Sequence, residues 1–327
     1  MSQNPVIRKR PLGKTNIQVT PVGLGVMQFS GGGGLWSTVF PTIPQSEKNA
    51  IIRTALDGGI NWFDTAELYG GGTSERTLAA ALKAAGKSDE EVVVATKWSA
   101  FLRTAGNIRR SIDDRLRNLD GYSVSLFMVH QPTSFSSPEA EMEAMADLVE
   151  AGKIRSVGVS NFDAERMRRA YEALHKRGIP LAANQVHYSL LHRDIETDGI
   201  LETAKELGVT IIAYTPLGYG LLTGKYHKDP GLLSRQPVWR RRRLSRQFEA
   251  SRPLVDALQE IAGRYGVTAG QVALNWLIHF HGDAVVTIPG ATRVKQAEES
   301  AGAMRFRLSE AEMAQLDELS RAVGKSA

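Results

Sequence analysis

Residues 61–75 read NWFDTAELYGGGTSE. The stretch opens with side chains that suit a buried strand, runs into an acid at Asp64, and presents a tyrosine five residues later. Three glycines then supply a turn, and Ser74 followed at once by Glu75 marks the start of a helix. This is a strand–loop–helix unit whose strand carries its only charge at the end.

The same unit recurs along the chain. Short β-branched runs at 23–27, 61–65, 91–97, 125–130, 154–159, 183–187, 210–214 and 284–288 alternate with amphipathic helical patterns. Those patterns fall at 46–57, 74–85, 106–119, 138–151, 163–177, 195–207, 253–265 with 268–280, and 293–303. A hairpin of 7–12 with 17–22 precedes them, and Ser309 caps a final helix. Eight strands, each followed by helix and with no Pro- or Ser-rich linker, predict an α/β fold: a (β/α)8 TIM barrel with an N-terminal β-hairpin and a C-terminal helix, as one domain over 1–327. Two long connections, 29–45 and 218–251, would then lie at the C-terminal face, where barrel chemistry sits.

Composition narrows the function classes. With 42% hydrophobic and 23% charged residues the chain is ordinary globular material, neither disordered nor fibrous. Its apolar runs stop well short of the roughly 20 residues that span a bilayer, so no membrane role is expected. No apolar segment follows the basic N-terminus, which makes the cytoplasm the expected location. The absence of cysteine excludes disulfide scaffolds, thiol catalysis and thiolate metal sites. A net charge of +5 is not gathered into a nucleic-acid-binding motif and fits a small anionic ligand. No HExxH or paired-histidine pattern calls for a metal.

The strand ends carry the chemistry. Strand two ends in Asp64, strand three in Lys97, strand four in His130 and strand five in Ser160 and Asn161; strand six passes through Gln185, and strand seven ends in Tyr214. Singly, each has an ordinary reading as a cap, a surface charge or a structural polar group. On consecutive strands of a parallel barrel they converge on one mouth.

With these residues in hand, the sequence resembles the aldo-keto reductase family over nearly its whole length, from Leu12 to Ser300. The resemblance is carried by DGGINWFDTAELYG at 57–70, ATK at 95–97, FMVHQP at 127–132, GKIRSVGVSNF at 152–162 and IPGA at 288–291. The segment YTPLGYGLLTGKY at 214–226 is similar to the bacterial, plant and channel-β-subunit branches. The family reduces aldehydes and ketones to alcohols, reversibly. The resemblance implies that Tyr69 is the general acid, that Lys97 and Asp64 tune it, and that His130 orients the carbonyl. Histidine at that place, where some steroid double-bond reductases of the family have Glu, implies carbonyl rather than C=C reduction.

For the cofactor the resemblance implies NADP(H), with room for some NAD(H) use. Ser160, Asn161 and Gln185 would hold the carboxamide and Tyr214 would stack on the nicotinamide. Thr215, Pro216, Leu217, Gly220 and Leu222 with Lys225 would contact the pyrophosphate. Gly290, Ala291, Thr292, Arg293, Gln296, Glu299 and Ser300 would take the adenosine end. Two departures bear on phosphate recognition: Thr292 precedes the cation at Arg293, and Ser300 stands where the family usually has Asn. The glycine run at 31–34 lacks the strand-turn-helix setting of a dinucleotide fingerprint. The arginines at 240–243 read as a solvated charged loop, with closure over the cofactor phosphates as the alternative.

Phe29, Trp36 and Trp98 are the expected pocket walls, with Trp239 a further candidate; Trp98 reads equally as packing. The expected partner is a small carbonyl or alcohol, with no nucleic acid. A second function class is a cofactor-binding regulatory or redox-sensing subunit resembling the channel β-subunits. A third, a barrel lyase or isomerase, would bind no nicotinamide. Elementary electrostatics gives the acid role its own footing. A lysine about 4 Å from a phenol favours the phenolate by about 4 kcal/mol at an effective dielectric of about 20, so the Tyr69 phenol is expected to shift towards neutrality. A carboxylate at Asp64 would keep that lysine charged.

Overall fold

The computed structural model describes residues 7–31 and 42–326. Strands β1 (Arg10–Pro11) and β2 (Gln18–Val19) form the antiparallel hairpin. Eight parallel strands follow: β3 (Leu24–Gly25), β4 (Trp62–Asp64), β5 (Val93–Trp98), β6 (Leu126–Val129), β7 (Val157–Ser160), β8 (Leu181–His187), β9 (Thr210–Tyr214) and β10 (Val285–Thr287). Each pairs with its sequence neighbour. Bridges from Val22 to Thr287 and from Gly25 to Gly290 bring the first strand to the last, with Gly23 N–H donating to the Thr287 carbonyl at 2.8 Å. This is the expected (β/α)8 barrel, with its N-terminal hairpin.

Around it run α1 (Gln45–Asp57), α2 (Thr73–Ala84), α3 (Gly106–Leu119), α4 (Pro138–Glu150), α5 (Ala164–His175) and α6 (Ile200–Leu207). The long connection after β9 holds α7 (Lys225–Lys228), α8 (Gly231–Ser234) and α9 (Val238–Phe248). Helices α10 (Arg252–Tyr265), α11 (Ala269–Phe280), α12 (Val294–Gly302) and α13 (Glu310–Ser326) complete the chain.

Strand periodicity explains how the lumen is filled. Alternate residues of a strand face the same side. Trp62 on β4, Val93 and Ala95 on β5, Leu126 and Met128 on β6, Ala183 on β8 and Ile212 on β9 share one buried apolar cluster. Leu12, Ile17 and Val19 of the hairpin belong to it as well, so the hairpin plugs the lower end. A second cluster holds the outward residues, such as Phe63, Val94 and Phe127, against the helices. Two residues further along the inward rows come Asp64, Lys97, His130, Gln185 and Tyr214. The polar mouth is therefore the top layer of the lumen.

Several local expectations change. The arginines at 240–243 lie on α9 and not on a loop; Pro237 starts that helix and the buried Leu244 pins it. The pattern at 195–207 splits: a short 3-10 turn ends at Glu196, and Gly199, at φ 84°, is the N-cap from which α6 begins. Ser74 is not a cap: α2 begins after Gly72, and the buried Ser74 hydroxyl donates to the Val26 carbonyl at 2.8 Å. Ser46 likewise lies inside α1, which follows Pro44. Ser309 does cap α13, accepting from Glu312 N–H at 3.3 Å while Glu312 accepts from Ser309 N–H at 2.9 Å.

Candidate active site

Asp64 and Lys97 meet inside the mouth. Lys97 Nζ donates to Asp64 Oδ1 at 2.6 Å and to the Thr65 carbonyl at 2.8 Å, and its side chain is wholly buried. Gln185 Nε2 donates to the other Asp64 oxygen at 2.9 Å. Burial alone would lower the Lys97 pKa, but Asp64, and to a lesser degree Tyr69, outweigh it and raise it above the ordinary lysine value. The expected role of Asp64 in holding the lysine charged has this geometry beneath it. The link from Gln185 to Asp64 is absent from the sequence reading, because a side-chain bond between residues 121 apart leaves no local signal.

Tyr69 stands over the pair, its ring centroid 5.2 Å from Lys97 Nζ. Gly70, Gly71 and Gly72, all at positive φ, turn the chain from this loop into α2. A Cβ on Gly72, at φ 84°, would meet the Asn118 side chain at 2.2 Å, so this position of the turn favours glycine. The loop is braced by Glu67, which accepts from Ser99 N–H at 3.0 Å and from Arg103 at 2.7 Å. Behind it Arg115 pairs with the fully buried Glu75 at 3.1 Å.

The phenol does not move towards neutrality. Burial pushes it above the ordinary tyrosine value of 10.0, outweighing the opposite pull of Lys97, while Asp64 adds to the rise. The expectation had counted the lysine without its counterion. Desolvation is the largest influence; Lys97 still pulls the phenol down, and Asp64 cancels part of that pull.

His130 meets Tyr69 edge-on, with ring centroids 5.6 Å apart and planes at 84°. Burial, then the charge of Lys97, lowers its pKa to about 3, so the ring is neutral at physiological pH. Its Nδ1 is buried with no hydrogen-bond partner among the described residues.

The residues expected to hold a nicotinamide form one network beside this centre. Ser160 Oγ donates to the Gln185 carbonyl at 2.9 Å, and Asn161 Nδ2 donates to Ser160 Oγ at 3.0 Å. Tyr214 O–H donates to Asn161 Oδ1 at 3.0 Å, and the half-buried Tyr214 ring has one face on His187. Asn161, Thr215 and Tyr219 all sit at positive φ, a conformation side chains enter at a cost, and such strain concentrates where a backbone must meet a ligand. Pro216 and Leu217 lead into the turns at Gly218–Thr223, where the buried Leu222 anchors the segment to the core.

Three cations gather nearby. Lys225 is held below its ordinary pKa by desolvation and by the charges of Arg240 and Arg293. Among the described residues none of the three has a carboxylate within ion-pair distance, and Arg240 Nε is buried without a partner. Arg293 stands at the N-cap of α12, whose free N–H groups favour an anion. Gln296 Oε1 there accepts from the N–H groups of Thr292 at 2.7 Å and Arg293 at 3.2 Å. Gly290 packs on Gln28, Ala291 and Ser300 are buried, and Glu299 lies 4.0 Å from Lys295. Cations without counterions beside these turns suit the phosphates of a dinucleotide.

The expected pocket walls fare differently. Phe29 and Trp98 are wholly buried in the core, Trp98 donating from Nε1 to Asn107 at 2.9 Å, so both pack rather than line an open surface. Trp36 lies outside the described residues. Trp239 is half exposed on α9 and edge-on to Tyr219. Exposed apolar side chains at the mouth come instead from Leu68, Phe101, Leu102 and Phe135, on the loops after β4, β5 and β6. Large apolar residues in non-periodic loop segments were the signal that could have found them.

Known proteins of one family share this chain's sequence and fold. The Aldo/keto reductase family profile matches residues 21–321. The chloroplastic pyridoxal reductase of Arabidopsis thaliana is 35% identical over 324 residues, 95% of this chain and 86% of that protein. A thermostable aldo-keto reductase crystallised with the inhibitor epalrestat aligns with a TM-score of 0.75 and 32% identity, covering 95% of this chain and 99% of that one. The glycerol dehydrogenase of Gluconobacter oxydans aligns with a TM-score of 0.79 and 27% identity, covering 96% and 95%. The chain belongs to the aldo-keto reductase family of oxidoreductases. Carbonyl reduction with a nicotinamide cofactor is the general chemistry of that family.

Proposed function

We propose that this protein is a reversible, NADP(H)-dependent reductase of aldehydes or ketones, with Tyr69 as proton donor. The observation that carries the proposal is the buried Lys97–Asp64 pair beneath a protonated Tyr69, with a neutral His130 at its edge. A bound nicotinamide supplies or accepts the hydride. Tyr69 gives its phenolic proton to the carbonyl oxygen, and the phenolate left behind faces Lys97. The ammonium attracts the phenolate more strongly than the neutral phenol, a contribution that grows only as the charge develops. Asp64 keeps the ammonium protonated and fixed. His130 donates an N–H to the carbonyl oxygen, orienting it and sharing its developing charge.

Ser160, Asn161 and Gln185 are the residues to grip a carboxamide, and Tyr214 offers a ring for stacking. Lys225, Arg240 and Arg293 are the residues to hold phosphates, and their lack of counterions favours NADP(H) over NAD(H). Leu68, Phe101, Leu102 and Phe135 favour a substrate with an apolar body. The names of the plant pyridoxal reductase and the bacterial glycerol dehydrogenase are consistent with a carbonyl/alcohol couple.

The test is NADPH oxidation over a panel of aldehydes, ketones, dicarbonyls and pyridoxal. Tyr69→Phe is expected to lower kcat by roughly 10²- to 10⁴-fold while NADPH binding, read by fluorescence, is retained. Undiminished reduction by Tyr69→Phe would sink the assignment of the acid.

A further inference from the structure

A cluster of charges sits behind the loop that carries Tyr69. Arg115 comes from α3 and is buried; Glu75, in the first turn of α2, is wholly buried. Arg115 Nε lies 3.1 Å from Glu75 Oε2, and its Nη1 lies 3.4 Å from Glu67 Oε1. One guanidinium therefore joins two carboxylates on the two flanks of the Tyr69 loop. Glu67 stands just before the phenol, and Glu75 follows directly on Ser74, whose N–H donates to the Tyr69 carbonyl at 3.2 Å.

The same two acids hold the strand that delivers the lysine. Glu75 Oε1 accepts from the hydroxyl of Thr96, the residue before Lys97, at 2.6 Å. The Glu67 carboxylate accepts from Ser99 N–H at 3.0 Å, just beyond Lys97, while Glu67 N–H donates to the Lys97 carbonyl at 3.2 Å. Arg103, half exposed, completes the set by donating to Glu67 Oε1 at 2.7 Å. Burial pushes the Glu75 carboxyl above its ordinary value, and Arg115 is the strongest pull in the other direction.

The loop has little else to fix it. After the buried Ala66, its one aliphatic side chain, Leu68, is exposed, and positions 70–72 are glycines, the residue with the most backbone freedom to lose. A buried ion pair adds little net stability over an apolar replacement, so geometry is what such a cluster contributes here. We infer that Glu67 and Arg115 are positioning residues for the proton donor: by holding both flanks of its loop against the segment around Lys97, they set the Tyr69 phenol over the lysine and against the carbonyl. The inference rests on the carbonyl reductase reading with Tyr69 as the acid. Neither residue is assigned a contact with the substrate; each acts through Tyr69.

The experiment measures kcat and KM with NADPH and the carbonyl of the panel that the wild type reduces fastest, in Glu67→Gln, Tyr69→Phe and the double variant, with the NADPH Kd read by fluorescence. Glutamine keeps the size of the side chain and can still accept from Ser99 N–H, but removes the charge shared by Arg115 and Arg103. Glu67→Gln is expected to lower kcat by roughly tenfold to a hundredfold, the loss that a displacement of about 1 Å brings to a reacting group. KM and the NADPH Kd stay within about twofold of the wild type. In the Tyr69→Phe background the same change lowers kcat by less than about twofold, because the group it positions is already gone. Arg115→Lys leaves Glu75 a buried cation but has no fork to span both acids, and is expected to reproduce the loss in kcat. Unchanged kcat in both Glu67→Gln and Arg115→Lys, a loss confined to KM or to NADPH affinity, or an equal loss with and without the Tyr69 hydroxyl overturns the positioning role alone. Undiminished reduction by Tyr69→Phe, or a wild type that reduces no carbonyl of the panel, overturns the reading beneath it and the positioning role together.

Discussion

Asp64→Asn removes one charge from a buried pair while keeping its shape. Lys97 Nζ and Asp64 Oδ1 are 2.6 Å apart with the lysine fully buried. At an effective dielectric of about 20 the two charges attract by about 6 kcal/mol. Asparagine can still accept from Lys97 and keep contact with Gln185, so the loss is electrostatic more than steric. Breaking a buried pair from one side costs about 3–5 kcal/mol, less than the gross attraction because the stranded lysine can shed its proton. That escape fixes the sign of the pH dependence. In the wild type the Lys97 pKa is raised on folding, so its contribution is fully present below the ordinary lysine pKa and is lost only at strongly alkaline pH. In Asp64→Asn burial acts unopposed and depresses it, so the unfolded chain binds more protons and stability rises as pH increases. Urea unfolding at about pH 6 and about pH 9 reads both quantities, with the variant gaining relative to the wild type at the higher pH. The double variant Asp64→Asn/Lys97→Met should be less destabilised than the two single changes added together. A loss under about 1 kcal/mol, or the same pH slope as the wild type, would refute the coupling.

Two further outcomes follow, one from this centre and one from the cations assigned to the cofactor phosphates. Reduction needs Tyr69 protonated and His130 neutral; burial holds the phenol above its ordinary value and the imidazole down at about 3, so kcat for reduction should be level from about pH 5 to about pH 9 and fall only as the phenol ionises. An acid limb in kcat between about pH 6 and pH 7 would show that His130 titrates as an exposed imidazole. Arg293→Ala is expected to raise KM for NADPH by about tenfold with a much smaller effect on NADH, the loss of one charge-assisted contact to the 2′-phosphate. Equal effects on the two cofactors would mean that Arg293 does not read that phosphate.

The stretch at 61–75 shows how much of this was legible beforehand. Its alternation placed Asp64 at a strand end, its glycines placed a turn after Tyr69, and the recurrence of such units implied the barrel. Period-2 patterning determines which side chains enter a lumen, so the inward row of Asp64, Lys97, His130, Gln185 and Tyr214 could be read from position alone. The helix at 238–248 was read as a loop because its polar, arginine-rich surface hides the single buried residue, Leu244, that anchors it.

The protein's sequence by itself determined the order of its elements and the residue types that converge on the barrel mouth, because periodicity and turn chemistry act over a few neighbours. Only the tertiary structure decided how those groups act on one another. Gln185 reaches Asp64, Arg243 reaches His187 and Arg115 reaches Glu75 across large separations in the chain. The phenol of Tyr69 was expected to fall towards neutrality and instead rises. The balance between desolvation and a lysine already paired with an acid depends on burial and distance in three dimensions.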